Sequence, residues 1–234
     1  MFQEVPAYKY CMRINEDYLD IEGHHIEDAG SILDHQLQVD EFCGIIDSIV
    51  TGEYECERPD FEHARDAIYP VGDIELRTII RKLQKLYGFE EHMNLNWLDV
   101  SGVTNMNTLF HMKSLPINLK VACNVDVSRW DVSSVKSTDG MFRYTSFNGD
   151  ISGWDTRSLL FCGFMFEDSD FDRDISGWDI SNVRDAHKMF YYSKMNRDLS
   201  SWDLTGILDE WTTDMFVGTP MQNRREWWPK GYNG

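Results

Sequence analysis

The stretches FNGDISGW (147–154), FDRDISGW (171–178) and MNRDLSSW (195–202) align without a gap at intervals of 24 residues. Trp130, Trp154, Trp178 and Trp202 keep the same interval, and each is followed by an aspartate: Asp131, Asp155, Asp179 and Asp203. Twelve residues beyond the first three tryptophans stand Phe142, Phe166 and Phe190, each preceded by a methionine. The fourth copy places Met215-Phe216 two residues late. An earlier copy begins at Trp97 and ends at Phe110, with about nine residues inserted around His111–Leu119 before the next one. A last partial copy, MQNRREWW (221–228), puts Trp228 on the tryptophan position. A fixed period sustained this far is the mark of a repeat architecture.

One copy cannot close a core by itself. In DISGWDIS (174–181), Ile175, Trp178 and Ile180 are the apolar positions, and the last two fall on one side of an extended segment. Val183, Ala186 and Phe190 follow at i, i+3 and i+7, which predicts a short helix capped by Ser181 or Asn182. Each copy therefore reads as a strand plus a helical turn or two, completed by its neighbours.

The string F-N-G-D-I-S-x-W-D-V-S-x-V…M-F resembles the BspA-like leucine-rich repeats of bacterial surface proteins. The lead-in over residues 73–106 looks like that family's N-terminal cap, a helix followed by the first strand. The resemblance runs over roughly residues 73–228 and implies a binding scaffold for adhesion or protein contact, with no catalytic residues to carry over. The copy at 154–166 departs from it by replacing the usual polar stretch with TRSLLFCGF, and the copy at 202–216 carries two extra residues and Trp211. The expected fold class is α/β: a short leucine-rich-repeat-like solenoid with a parallel strand ladder, preceded by a small acidic α+β module and a helical cap. The expected divisions are 1–66 for the acidic module, 67–92 for the cap and 93–234 for about five copies plus a C-terminal cap.

Charge divides the chain. Its net charge is −18, and residues 1–66 alone hold 4 Lys/Arg against 17 Asp/Glu. Residues 93–234 hold 14 against 19. So acidic a protein offers no grip for phosphates or anionic lipid, so neither nucleic acid nor membrane is an expected partner. In the acidic block, YKYCMRI (8–14) alternates as a strand and YLDI (18–21) can return as its hairpin partner. Phe42, Ile45, Ile46, Ile49 and Val50 have helical spacing from about Asp40 to Gly52. A second helix is expected from Asp73 to about Tyr87, with Leu76, Ile79, Ile80, Leu83 and Leu86 as its apolar face and Gly88 as its stop.

Motifs of catalysis and metal binding are weak. EDSDFDRD (167–174) opens like a calcium loop, but Arg173 stands where such a loop needs glycine and Asp179 where it needs a bidentate glutamate. His24 and His25 are adjacent, and neighbours on a strand point to opposite faces, so they chelate poorly. The five cysteines include no C-x-x-C pair and form no zinc pattern. There is no G-x-S-x-G, P-loop or G-x-G-x-x-G. No catalytic, cofactor or metal residue is assigned.

What remains is recognition. The expected function is a non-enzymatic protein–protein interaction scaffold, an intracellular acidic inhibitor or decoy that binds a basic surface of a partner such as a nucleic-acid-handling enzyme. The partner-binding candidates are Glu53, Glu55, Glu57, Asp60 and Glu62 of the acidic stretch, and Tyr191, Tyr192 and Trp211, which lie off the repeat pattern. End capping is an equal alternative for those aromatics and for Trp227 and Trp228. Two other functions stay open: an exported adhesion module, and an enzyme whose site lies in the N-terminal module. The N-terminus, MFQEVPAYKYCMRINEDYLD, does not read as a secretory signal, which suggests the cytoplasm, with the cell surface as alternative.

Overall fold

The computed structural model describes residues 44–51, 69–111 and 120–234. The hairpin expected within residues 8–21 and the 66/67 boundary lie outside the described residues. Helix α1 covers 44–51, and its Ile46 and Ile49 are buried. Helix α2 spans Asp73–Tyr87 and buries Leu76, Ile79, Ile80 and Leu83. Glu75 accepts from the Gly72 amide at its start, and Gly88 ends it with φ 65°. Leu86, expected on the apolar face, is instead exposed. Short strands pair in parallel: β1 (Tyr69–Pro70) with β3 (Leu98–Asp99), and β2 (Met93–Asn94) with β4 (Val125–Asp126).

Successive copies are hydrogen-bonded to one another through parallel bridges that join Asn105 to Ser137, Ser137 to Phe161 and Phe161 to Asp185. The helix expected over 181–190 does not form. The segment is a run of tight turns, and so are its equivalents in the neighbouring copies. The amides of Thr138, Gly140, Phe142 and Tyr144 donate to the carbonyls of Phe161, Gly163, Met165 and Glu167 in the next copy, each at 2.9 Å. The intervening amides of Met141 and Arg143 instead donate three residues back, to Thr138 and Gly140. An α-helix would keep every donor inside its own segment. Here alternate donors serve the turn and the neighbouring copy.

The same alternation recurs in the next copies. Cys162, Phe164, Phe166 and Asp168 donate to Asp185, His187, Met189 and Tyr191. Ala186, Lys188, Phe190 and Tyr192 donate in turn to Trp211, Thr213, Met215 and Val217. The geometry demands a left-handed residue at fixed places. Thr108, Gly140, Phe164, Lys188 and Asp214 form one such column, and Tyr144, Asp168, Tyr192 and Gly218 a second, all with φ between 49° and 76°. For residues other than glycine each such position costs on the order of 1 kcal/mol, which the inter-copy hydrogen bonds and packing offset.

Inside the turns lie continuous columns of rings. Phe110, Phe142, Phe166, Phe190 and Phe216 stack with centroids 5.2–5.9 Å apart. The repeat tryptophans are buried too, and Trp154 stacks on Trp178 at 6.1 Å. Their indole N–H groups do not go unpaired. Trp154, Trp178 and Trp202 donate to the carbonyls of Val127, Ile151 and Ile175 in the preceding copy. Burying one tryptophan removes about 200 Å² from water, worth roughly 5 kcal/mol before conformational entropy is subtracted. All these residues belong to one hydrophobic core that runs from Ile46 to Met221.

The aspartates of the repeat form its corners. Asp150, Asp174 and Asp198 accept the amides of Ser152, Ser176 and Ser200, and Asp155, Asp179 and Asp203 accept those of Arg157, Ser181 and Thr205. Ser181, expected as a helix cap, is thus the donor of such a corner. Asn182 instead donates its side-chain amide to the Arg157 carbonyl one copy earlier.

Candidate interaction surface

The turn ladder alternates inward and outward residues. Met165, Phe166 and their equivalents point into the core, and the side chains between them cover one lateral face. On the rung 160–170 the outward positions include Phe161, Phe164 and Asp168, with Glu167 buried in its pair with Arg143. On the next rung they include Asp185, His187, Lys188, Tyr191 and Tyr192. Trp211 continues the column of Phe161 and Asp185, because the Ala186 amide donates to its carbonyl as the Cys162 amide does to that of Asp185. The two-residue insertion before Phe216 is absorbed in the 3₁₀ turn Asp209–Trp211, which leaves the ladder beyond it in step.

The structure brings three of the expected partner-binding residues to this face. Tyr192 is 56% exposed and Trp211 44%. Tyr191 is half-buried, lies under the Lys188 ammonium at 5.1 Å and meets Tyr192 edge-on at 4.7 Å. Glu53, Glu55, Glu57, Asp60 and Glu62 lie outside the described residues. Trp228 does not share the face. It closes the C-terminal end, packed on Phe216 at 6.2 Å and donating to the Met221 carbonyl at 2.9 Å. Trp227 is half-buried beside it under the Arg224 guanidinium.

Residues that sequence reasoning did not single out complete the face. Phe161 is 39% exposed. Arg143 lies over the rings of Tyr144 and Phe164, at 4.8 and 4.7 Å, and pairs with Glu167 at 2.6 Å. His187 bonds Asp185 through Nδ1 at 2.5 Å and meets the Phe164 ring edge-on at 4.1 Å. Its imidazole lies over Gly163, where a Cβ would come within 2.9 Å of the ring. The signal for Phe161 was present in TRSLLFCGF, where an aromatic stands 24 residues before Asp185.

Electrostatically the molecule has two kinds of side. On the ladder face most charges are paired. Lys120 and Lys194 hold Asp170 at 2.9 and 2.8 Å, and Arg197 holds Asp172 at 3.1 Å just beyond it. Burial alone would raise the Asp170 carboxyl, but the two lysines outweigh it and hold it below the ordinary range. These are the carboxylates of the calcium-like string, here engaged by cations of the chain. Burial also pushes the Asp139 carboxyl up, and neighbouring Asp185 adds to it. In the corner columns Asp150, Asp174 and Asp198 bond the amides of serines. Arg157 holds Asp155 down to about 2, and the hydroxyl and amide of Thr205 followed by Lys230 do the same for Asp203.

Among the described residues no three His, Cys, Asp or Glu side chains converge as a metal site would require. Cys123 and Cys162 are buried, and burial pushes both thiols far above their ordinary range, so neither is a ready nucleophile. No helix among the described residues is long and apolar enough to cross a membrane. A family model described as "Mycoplasma protein of unknown function, DUF285" matches residues 77–168 and 111–227, which together span about two thirds of the chain. No curated protein and no solved structure matches it.

Proposed function

The chain belongs to the DUF285 family, and from that premise we propose that it is a non-catalytic protein-interaction scaffold, built as a BspA-like leucine-rich-repeat solenoid. The partner is a protein with a basic surface. The observation that carries this reading is the lateral face of the turn ladder. It leaves the rings of Phe161, Tyr192 and Trp211 exposed. Exposed tryptophan and tyrosine on a rigid frame bury large areas on docking at little cost in side-chain entropy. The acidity of the corners and of residues 1–66 would speed the approach of a basic partner and choose against acidic ones. An inhibitor or decoy role follows from the same complementarity, because a carboxylate-studded surface competes with phosphates for a basic cleft.

The test is affinity capture from lysate with the full chain, compared with the double variant Tyr192→Ala, Trp211→Ala. The reading expects a basic protein that is enriched by the wild type, lost by the variant and released as salt rises from about 0.05 to 0.3 M. Identical captured sets for both baits, or retention unchanged at high salt, would overturn it.

A further inference from the structure

Several partly exposed rings of the described residues already carry a cation of the chain. Arg143 covers Tyr144 and Phe164, Lys188 covers Tyr191, Arg224 covers Trp227 and Arg225 covers Trp228. The most exposed rings of the ladder face, Phe161, Tyr192 and Trp211, have none over them. Phe161 and Trp211 stand in one column with Asp185 between them, each one rung away. Rungs of a hydrogen-bonded ladder are spaced by about 4.8 Å, so the two aromatic positions lie ~10 Å apart across the shorter aspartate. That opening leaves a flat cation between the rings within the ~6 Å reach of a cation–π contact on each side.

The floor of the notch is anionic and has a site to spare. Asp185 uses Oδ1 for both the His187 amide and the His187 ring nitrogen, while no hydrogen bond of the described residues reaches Oδ2. Arg184 and Glu210 are both exposed nearby in the sequence of the two rungs. The face also contains its own precedent. Arg143 is held by two rings, Tyr144 and Phe164, and one carboxylate, Glu167. Phe161, Trp211 and Asp185 repeat that set of groups without the guanidinium.

We infer that Phe161, Asp185 and Trp211 form a receptor notch for one arginine side chain of a protein partner, the guanidinium lying between the rings and bonding Oδ2 of Asp185. This rests on the scaffold reading and names the group that the scaffold recognises. Arginine fits better than lysine because its planar, weakly hydrated head stacks on rings and donates in the same plane.

The experiment uses the full-length chain and a fluorescein-labelled hexa-arginine peptide, with hexa-lysine as comparison. Anisotropy is read at about 0.1 M salt, and hexa-lysine, which carries the same charge, reports the diffuse attraction of the acidic segments. Phe161→Ala and Trp211→Ala should each weaken hexa-arginine binding about fivefold or more, Asp185→Asn should weaken it similarly, and Trp211→Phe should restore most of the affinity. Hexa-lysine should bind more weakly and respond less to the ring variants. Near-ultraviolet circular dichroism confirms that each variant keeps the tryptophan stack. Binding unchanged in both alanine variants, equal preference for lysine, or no binding of hexa-arginine to the wild type overturns the notch. If lysate capture still depends on Tyr192 and Trp211 in that event, the scaffold reading stands and only the arginine assignment falls.

Discussion

The two ends of the stack face opposite hydrogen-bonding problems and solve them with opposite chemistry. Amides of each rung donate forward, so the first rung is left with bare carbonyls and the last with bare amides. At the N-terminal end α2 lies across the opening. Arg77 donates to the carbonyls of Asn107 and Asn105 and to the Asn105 side chain, while Asp73 accepts the amides of Thr104 and Asn105. At the C-terminal end there is no such helix. Gln222 accepts the Gly218 amide at 2.8 Å, and the Tyr232 ring packs edge-on against Phe216 at 5.2 Å. Arg77 meets the bare carbonyls of the first rung while Asp73 takes its backward-pointing amides, and at the other end an oxygen acceptor meets the donor edge. Because the ladder is parallel and polar, the caps could not be exchanged.

The ends also differ in how they cover the ring columns. The N-terminal cap buries four aliphatic side chains of α2 completely or nearly so. The C-terminal cap leaves Trp228 and Tyr232 half-buried at the surface, in edge contact at 4.9 Å. The largest difference should therefore come from cutting each cover. Leu83→Ala is expected to cost about 3 kcal/mol in urea unfolding, and Trp228→Ala about 2 kcal/mol. A larger loss at Trp228 would reverse the ranking of the two ends.

Next comes the acceptor edge. Arg77→Met keeps the stem but strands the carbonyls, at about 1–2 kcal/mol. Hydrogen exchange should quicken over 104–110 while 162–168 stay protected, since each rung leans mainly on its neighbours. A uniform change across all rungs would contradict that local picture. The donor edge should be less sensitive. Gln222→Met removes one acceptor and keeps the stem, so about 1 kcal/mol or less is expected, with faster exchange at Gly218.

The smallest effect concerns pH. Burial by itself would raise the Asp73 carboxyl, but the amides of Thr104 and Asn105 outweigh it and hold it below the ordinary value. A carboxylate depressed in the folded state contributes stability that is complete above its unfolded value and is lost as pH falls through the folded one. Asp73→Asn should thus lower stability by less than about 1 kcal/mol at pH 6, and the gap to wild type should close as pH drops below about 4. A gap that stays constant down to pH 2 would mean the charge is irrelevant and only the shape of the cap matters.

Much of this was readable before any coordinates. The 24-residue spacing placed the tryptophan and phenylalanine columns, and the apolar spacing of 73–87 placed α2. Tyr191, Tyr192 and Trp211 stood out because they broke the pattern, and they lie on the ladder face. Two things were not readable. Val183, Ala186 and Phe190 have the spacing of a helix, yet the segment is a ladder of turns. Spacing reports which side chains are buried, and an alternating turn buries the same ones. The exposure of Phe161 is the other, because a lone aromatic in an apolar string has the look of core.

Periodicity alone determined which residues form the interior, because a 24-residue unit with one greasy side can hide it only against an identical unit. The destination of each amide was decided only in three dimensions, since its acceptor lies either three residues back or 23 to 31 residues ahead and no local pattern encodes the choice between a turn and a neighbour. The same holds for the rings left bare on the lateral face. Whether an aromatic is covered depends on which cation the adjoining rung happens to supply, and that is a property of the stack rather than of any one copy.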